Sequence, residues 1–343
     1  MKIHPMKKSI LTLFVVCCAM STVLAQMDTT QKSNTNNTTT FTTYIDGYYR
    51  SDFGRTKANN KTSFTNSHNE FQLGMASFKV DQTLGKFSGT LDLGVGKRAE
   101  EFSYNENGLA ADVKQAYISY APSNKLKFTV GKWATHVGYE LVDAYSNRNY
   151  SMSYGFSYGP FFHTGVKADI SLGGKSALMV GVAEPTDVTS AKVEARMVVA
   201  QLSTATKDDK LKAYLNYQGG MDKTQFDLVL NGVVTSKFGI NYDGTICRIA
   251  EASWTSNALY FNYDYSSKIG FTLRSEYFDD SKTVAGVGAS ILQNTFSMNV
   301  RFKKLTIIPE FRIDNASENI FLTNTQSATG SAGSFLVAAV YKF

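Results

Sequence analysis

The sequence predicts an all-β protein: a transmembrane antiparallel up-and-down β-barrel of about 16 strands, with short periplasmic turns and long extracellular loops. Three observations predict it. Short and long connections alternate along the chain, side-chain polarity alternates with period two, and the last strand ends on an aromatic, Phe343.

The first residues read as an export signal. Lys7 and Lys8 precede the apolar run Ile10 to Met20, and Val23-Leu24-Ala25 supplies small residues for cleavage before Gln26. Residues 1–25 are therefore expected to be removed. The net charge of +6 then falls by the three charges of Lys2, Lys7 and Lys8, and little basicity remains to argue for nucleic acid. Cys17 and Cys18 also leave. Cys247 stands alone, which excludes a fold held by internal disulfides. Beyond residue 25 no stretch approaches the roughly 20 apolar residues that a membrane helix needs, so any crossing must use strands. Residues 26–40 are Thr, Asn, Gln and Ser with few apolar partners, and are expected to be a disordered periplasmic lead-in to a barrel over 41–343.

The turns order the strands. Short connections are expected at 83–85, 122–124, 173–174, 207–209, 235–237, 266–268 and 303–304. Long ones are expected at 51–68, 98–109, 138–161, 184–193, 219–224, 249–253, 279–289 and 315–333. A soluble sandwich has many turns but no reason to alternate their lengths. In the strand 269–277, Ile269, Phe271, Leu273 and Tyr277 oppose Gly270, Thr272, Arg274 and Glu276. In a barrel of this kind the apolar face meets lipid and the charged face meets the lumen. Aromatics collect at strand ends, at Tyr120, Tyr217, Phe238, Tyr263, Tyr265, Tyr277, Phe302 and Tyr341, as an interfacial girdle requires. The terminal run Phe335 to Phe343 puts Phe335, Val337, Ala339, Tyr341 and Phe343 on one face. It resembles the signature read by the outer-membrane assembly machinery. Pro309, inside the strand 306–314, marks either a bulge or a displaced strand boundary.

Between Gly131 and Gly165 the chain resembles the OmpL-like β-barrel porin family. The matching residues are Gly131-Lys132-Trp133, Gly138-Tyr139-Glu140, the run Asn147 to Tyr154, and Pro160 to Gly165. The resemblance implies an outer-membrane location and a water-filled channel for passive diffusion of small polar solutes.

A porin's selectivity comes from its width and its lining charges. The loop 138–161 is too aromatic to be freely solvated and is expected to fold inward as the constriction, through Tyr139, Glu140, Asp143, Arg148, Tyr150 and Tyr154. Lys167, Asp169, Arg274, Glu276, Arg301, Glu310 and Arg312 are expected to line the lumen and set a transverse field. A plugged barrel acting as a binding or adhesion protein is the rival reading. A barrel lipase would need His163 with Ser151 or Ser153. No metal-ligand spacing or cofactor motif is present, so neither is expected. Expected partners are outer-membrane lipid and lipopolysaccharide, the assembly machinery at Phe343, small polar solutes, and two further copies in a homotrimer, with no nucleic acid.

Overall fold

A computed structural model of the protein describes residues 37–191 and 195–343. The expected signal 1–25 lies outside them. Sixteen strands form one closed barrel. They are β1 (Asn37–Asp52), β2 (Glu70–Leu84), β3 (Phe87–Val95), β4 (Val113–Ser123), β5 (Leu126–Ala134), β6 (Phe162–Gly173), β7 (Ser176–Ala183) and β8 (Met197–Ala205), followed by β9 (Leu211–Gly220), β10 (Lys223–Val233), β11 (Phe238–Ile249), β12 (Ala252–Asp264), β13 (Ile269–Asp279), β14 (Ser290–Phe302), β15 (Leu305–Ala316) and β16 (Ser331–Lys342). Each pairs antiparallel with its sequence neighbours. β16 closes on β1 from Tyr44 opposite Lys342 to Asp52 opposite Ser334. Closure leaves no open edge at membrane depth, which a sheet in lipid requires.

The polarity is inverted relative to a soluble fold. On β13, Thr272, Arg274 and Glu276 are buried inside, while Leu273 and Tyr277 are exposed outside. Phe226, Leu259, Phe296, Phe311 and Phe335 extend the same outer apolar face. Solvent exposure there corresponds to lipid contact. The aromatics form two belts rather than one. Tyr120, Tyr263 and Phe302 lie toward the short turns, whereas Tyr217 and Tyr277 lie toward the long loops.

Three expectations need correction. Residues 37–40 are not lead-in. They open β1 and pair with Asp81 to Leu84, because β-branched Thr suits a pleated strand. The connections at 219–224 and 249–253 are not long. They are two-residue turns, Met221-Asp222 and Ala250-Glu251, entered with positive φ at Met221 and Ala250, so loop length alternates strictly only outside β9–β12. Pro309 marks neither a bulge nor a boundary. It sits within β15 opposite Val337, and the β14–β15 ladder simply omits its pair while holding one register on both sides.

Three long loops carry structure that bears on the interior. The loop after β3 holds helix α1 (Lys97–Phe102), and the loop after β5 holds helix α2 (Tyr154–Tyr158). The loop before β16 crosses to the loop after β1, where Asn59 Nδ2 donates to the Leu322 carbonyl at 2.9 Å and Leu322 N–H donates to Asn59 Oδ1 at 2.8 Å.

Candidate functional site

The longest connection in the barrel joins β5 to β6. The chain leaves the wall after Ala134 and returns at Phe162, and the intervening segment folds into the barrel. It starts beside β9–β11. His136 Nε2 lies 3.1 Å from the Tyr217 carbonyl, Gly138 N–H donates to Asp227 at 3.0 Å, and Tyr139 N–H donates to Asp243 at 2.9 Å. It then meets β13, where Arg274 donates to Glu140 at 2.6 Å. It crosses to the opposite side, where Lys114 and the Tyr44 hydroxyl donate to Asp143 at 2.5 and 3.1 Å. It returns toward the turn end of β12, where Arg148 forms a two-pronged pair with Asp264 at 3.0 and 3.1 Å. From there it climbs β13–β15 toward the loop end.

The climb shows how an irregular segment can be buried. Backbone N–H and C=O groups inside a protein need partners, and a loop cannot supply them itself. Here wall side chains do. Glu310 accepts the N–H groups of Tyr150 and Ser151 at 2.8 and 3.1 Å. Glu276 accepts those of Tyr154 and Gly155 at 2.8 and 2.7 Å. Arg274 donates to the carbonyls of Ser151 and Met152 at 2.7 and 3.1 Å, and Arg312 donates to Met152 at 2.8 Å. Carboxylates thus take the loop's donors and guanidinium groups take its acceptors. Gly155 is required by closeness: a Cβ there would lie 2.6 Å from Ser256 Oγ. Ser153 caps α2 by accepting the Phe156 N–H at 3.1 Å.

Apolar packing adds to the anchoring. Phe64, Phe102, Phe156, Phe161 and Phe162 form a buried aromatic cluster, to which the loop contributes Phe156 and Phe161. Each buried ring contributes about 1.5–3 kcal/mol. Arg98, on α1, is fully buried with its guanidinium 4.8 Å from the Tyr150 ring centre and 5.1 Å from that of Phe64. At the bulge in β2 between Gly74 and its neighbours, Asp46 turns inward to accept the Met75 N–H at 3.1 Å and the Tyr150 hydroxyl.

The return of the segment is fixed by Asp187, in the loop after β7. It accepts the N–H groups of Phe161 and Phe162 at 2.6 and 3.0 Å and the Tyr104 hydroxyl at 3.3 Å. Burial pushes its carboxyl up to about 6. Burial likewise pushes His136 down to about 4, so that imidazole is neutral at physiological pH.

The predicted residues divide in two. Glu140, Tyr150 and Tyr154 are in the inward loop but fully buried against the wall. Tyr139, Asp143 and Arg148 are in it and half-buried. Arg274, Glu276, Glu310 and Arg312 face inward as expected, yet they do not face open solution: the loop covers them and they hold it. Lys167, Asp169 and Arg301 remain half-buried on the inner wall, with Lys167 3.4 Å from Asp169 and Arg301 3.1 Å from Asp264. The Ser–His pairing is not formed. Ser153 Oγ donates to Glu140 at 2.9 Å, Ser151 Oγ lies 3.5 Å from Arg274, and His163 Nε2 lies 3.3 Å from Thr135 Oγ1. Sequence reasoning missed Asp46, Arg98, Lys114, Asp187, Asp227 and Asp243. Asp46 and Asp227 alternate with outward apolar residues and could have been found that way, whereas Asp187 carries no local signal.

The wall of β5, β6 and β8–β11 is different. Buried atoms there lack any protein hydrogen-bond partner: Trp133 Nε1, His163 Nδ1, Gln225 Nε2, Asn231 Oδ1 and Asp243 Oδ1, with His136 Nδ1 of the inward segment beside them. On the anchored side, Tyr260 Oη and Arg312 Nη2 are the counterparts. Above this wall lies a cavity of about 500 Å³ lined by Tyr104, Tyr158, Phe161, Thr186, Asp187 and Lys223 among others. Among the described residues no cluster of His, Cys, Asp and Glu could hold a metal ion.

Solved structures with the same fold include the outer-membrane channel DcaP of Acinetobacter baumannii, at 11% identity over 91% of this chain and 99% of that one, TM-score 0.62. The anion-selective porin of Comamonas acidovorans matches at 11% identity over 90% and 100%, TM-score 0.61. The trimer form of in-vitro folded OmpT of Vibrio cholerae matches at 12% over 90% and 99%, TM-score 0.59. No curated protein matches the sequence. The family model described as "Putative beta-barrel porin-2, OmpL-like" matches residues 38–343, from the second residue of β1 to the terminal Phe343. The chain belongs to this OmpL-like β-barrel porin family and is an outer-membrane porin.

Proposed function

We propose that the segment 135–161 is a fixed constriction in a channel for small polar solutes, and that the path runs between it and the wall of β5, β6 and β8–β11. The observation that carries this reading is the division of the interior. The stretch 148–155 is held by β12–β15, while the opposite wall grips only the start of the segment, at Gly138 and Tyr139, and leaves several buried polar atoms without a protein partner. Such atoms are costly unless water reaches them, and a file of water is what a polar solute needs. The path would pass the cavity at Lys223, descend past Gln225 and His163, and leave by Gln201, Lys167 and Asp169. Mixed charge at that exit favours polar over apolar solutes. The export signal, insertion by the assembly machinery at Phe343, contact with lipopolysaccharide, and homotrimer formation belong to the same reading.

Removing residues 147–158 tests it. Single-channel conductance in planar bilayers is expected to rise several-fold, with the barrel still resistant to detergent before heating. Unchanged conductance would remove the constriction. A second reading, a plugged binding barrel, is favoured by the burial of Arg274, Glu276, Glu310 and Arg312 under the loop. It requires folded wild-type protein to conduct nothing.

A further inference from the structure

The two ends of the barrel carry opposite charge. The first three short turns carry Lys86, Lys125 and Lys175, the fourth carries Lys207 and Lys210, and the last three carry Lys237, Lys268 and the pair Lys303–Lys304. Every short turn thus holds a lysine, and all nine are exposed. Only Asp208 and Asp209 oppose them, and these are already paired with Lys210 and Lys175. The other seven lysines have no acidic partner among the described residues. The long-loop end is the reverse, with twelve acids to eight bases among its described residues.

The lysines stand beside apolar side chains that point outward. The Phe87 and Tyr120 rings pack at 4.9 Å, tilted by 32°, next to Lys86. Tyr265 and Phe302, 61% and 57% exposed, flank Lys268 and Lys303. Aromatic rings of this kind settle at the headgroup level of a bilayer, and a lysine stem beside them carries its ammonium into the same layer. A ring of unpaired ammonium groups at that depth attracts anionic headgroups and gains nothing from net-neutral ones. A soluble polyanion would need the charges to project away from the membrane, and the flanking aromatics argue against that placement.

We propose that the short-turn rim binds anionic phospholipid of the periplasmic leaflet, of the phosphatidylglycerol class, in preference to phosphatidylethanolamine. The interaction is independent of the channel reading. The test uses the full-length protein extracted from vesicles of equal phosphatidylglycerol and phosphatidylethanolamine, with retained lipids counted by native mass spectrometry. Roughly threefold or greater enrichment of the anionic lipid is expected, declining with salt. The variant Lys237→Glu/Lys268→Glu/Lys303→Glu/Lys304→Glu is expected to lose the enrichment. The variant Lys57→Glu/Lys282→Glu, at the long-loop end, is expected to keep it, with heat-modifiable migration confirming that both fold. Equal retention of the two lipids by wild type, or enrichment that survives in the fourfold variant, would overturn the proposal. So would capture of soluble polyglutamate by the rim without any lipid preference.

Discussion

The two halves of the barrel interior are built from similar residues and do opposite things. On β12–β15, Arg274, Glu276, Glu310 and Arg312 are engaged by the loop: its carbonyl and N–H groups and neighbouring wall side chains take all their polar atoms but Arg312 Nη2. On β5, β6 and β8–β11, His163, Gln225 and Asn231 keep buried polar atoms unmatched. A charged residue inside a barrel is therefore not a lining residue by virtue of facing inward. Its partner list decides whether it is scaffold or surface.

The comparison can be broken most forcefully at Arg274. Arg274→Ala leaves Glu140 buried without its cation and the Ser151 carbonyl without its donor, and is expected to destabilise by roughly 3–5 kcal/mol. Urea unfolding in lipid would show it, and single-channel records would become noisy as the loop loosens. Arg274→Met with Glu140→Gln removes both charges and is expected to restore most of the loss. Equal destabilisation in both variants would mean the pair is not what holds the loop.

Asp187 offers a test by pH. Its carboxyl is held up to about 6 in the folded protein against 3.8 for the free group. The folded state therefore binds the proton more tightly, and this group's contribution to stability is fullest below about pH 4 and declines as pH rises through 6. Asp187→Asn cannot ionise and lacks that decline. The stability of wild type relative to the variant is expected to be greater at pH 4 than at pH 7 by at most about 3 kcal/mol. A pH-independent difference would contradict the assignment.

Glu276→Gln retains shape but weakens the acceptor for Tyr154 and Gly155, and is expected to cost roughly 1–3 kcal/mol. The smallest stability effect belongs to the other wall. Gln225→Leu removes an amide whose Nε2 has no partner and whose Oε1 accepts the Gln218 amide at 2.7 Å, and is expected to cost about 1 kcal/mol while lowering conductance. A large loss of stability there would mean that both halves are scaffold.

The barrel was legible because its physics is local. Period-two alternation in Ile269–Tyr277, tight turns such as Lys303–Lys304, and the aromatic terminus at Phe343 each follow from neighbours in sequence. The turns Met221-Asp222 and Ala250-Glu251 were misread because Gly219-Gly220 at the end of β9 and Ala252-Ser253 at the start of β12 look like loop until their pairing is known. The inward loop was legible from its aromatic content, but the roles of its partners were not. Glu310 is 159 residues from Ser151 and Arg274 is 134 from Glu140. No sequence pattern says that these meet, so lumen lining and loop anchor look alike.

Thiol accessibility in an open channel would locate the solute path. In a Cys247→Ala background, Gln225→Cys and Thr295→Cys place one thiol on each wall, and a small charged thiol reagent is applied during current recording. A stepwise fall in current is expected for Gln225→Cys and none for Thr295→Cys, which the loop covers. Block at Thr295→Cys with Gln225→Cys untouched would contradict the proposed path, placing it on the wall described here as closed.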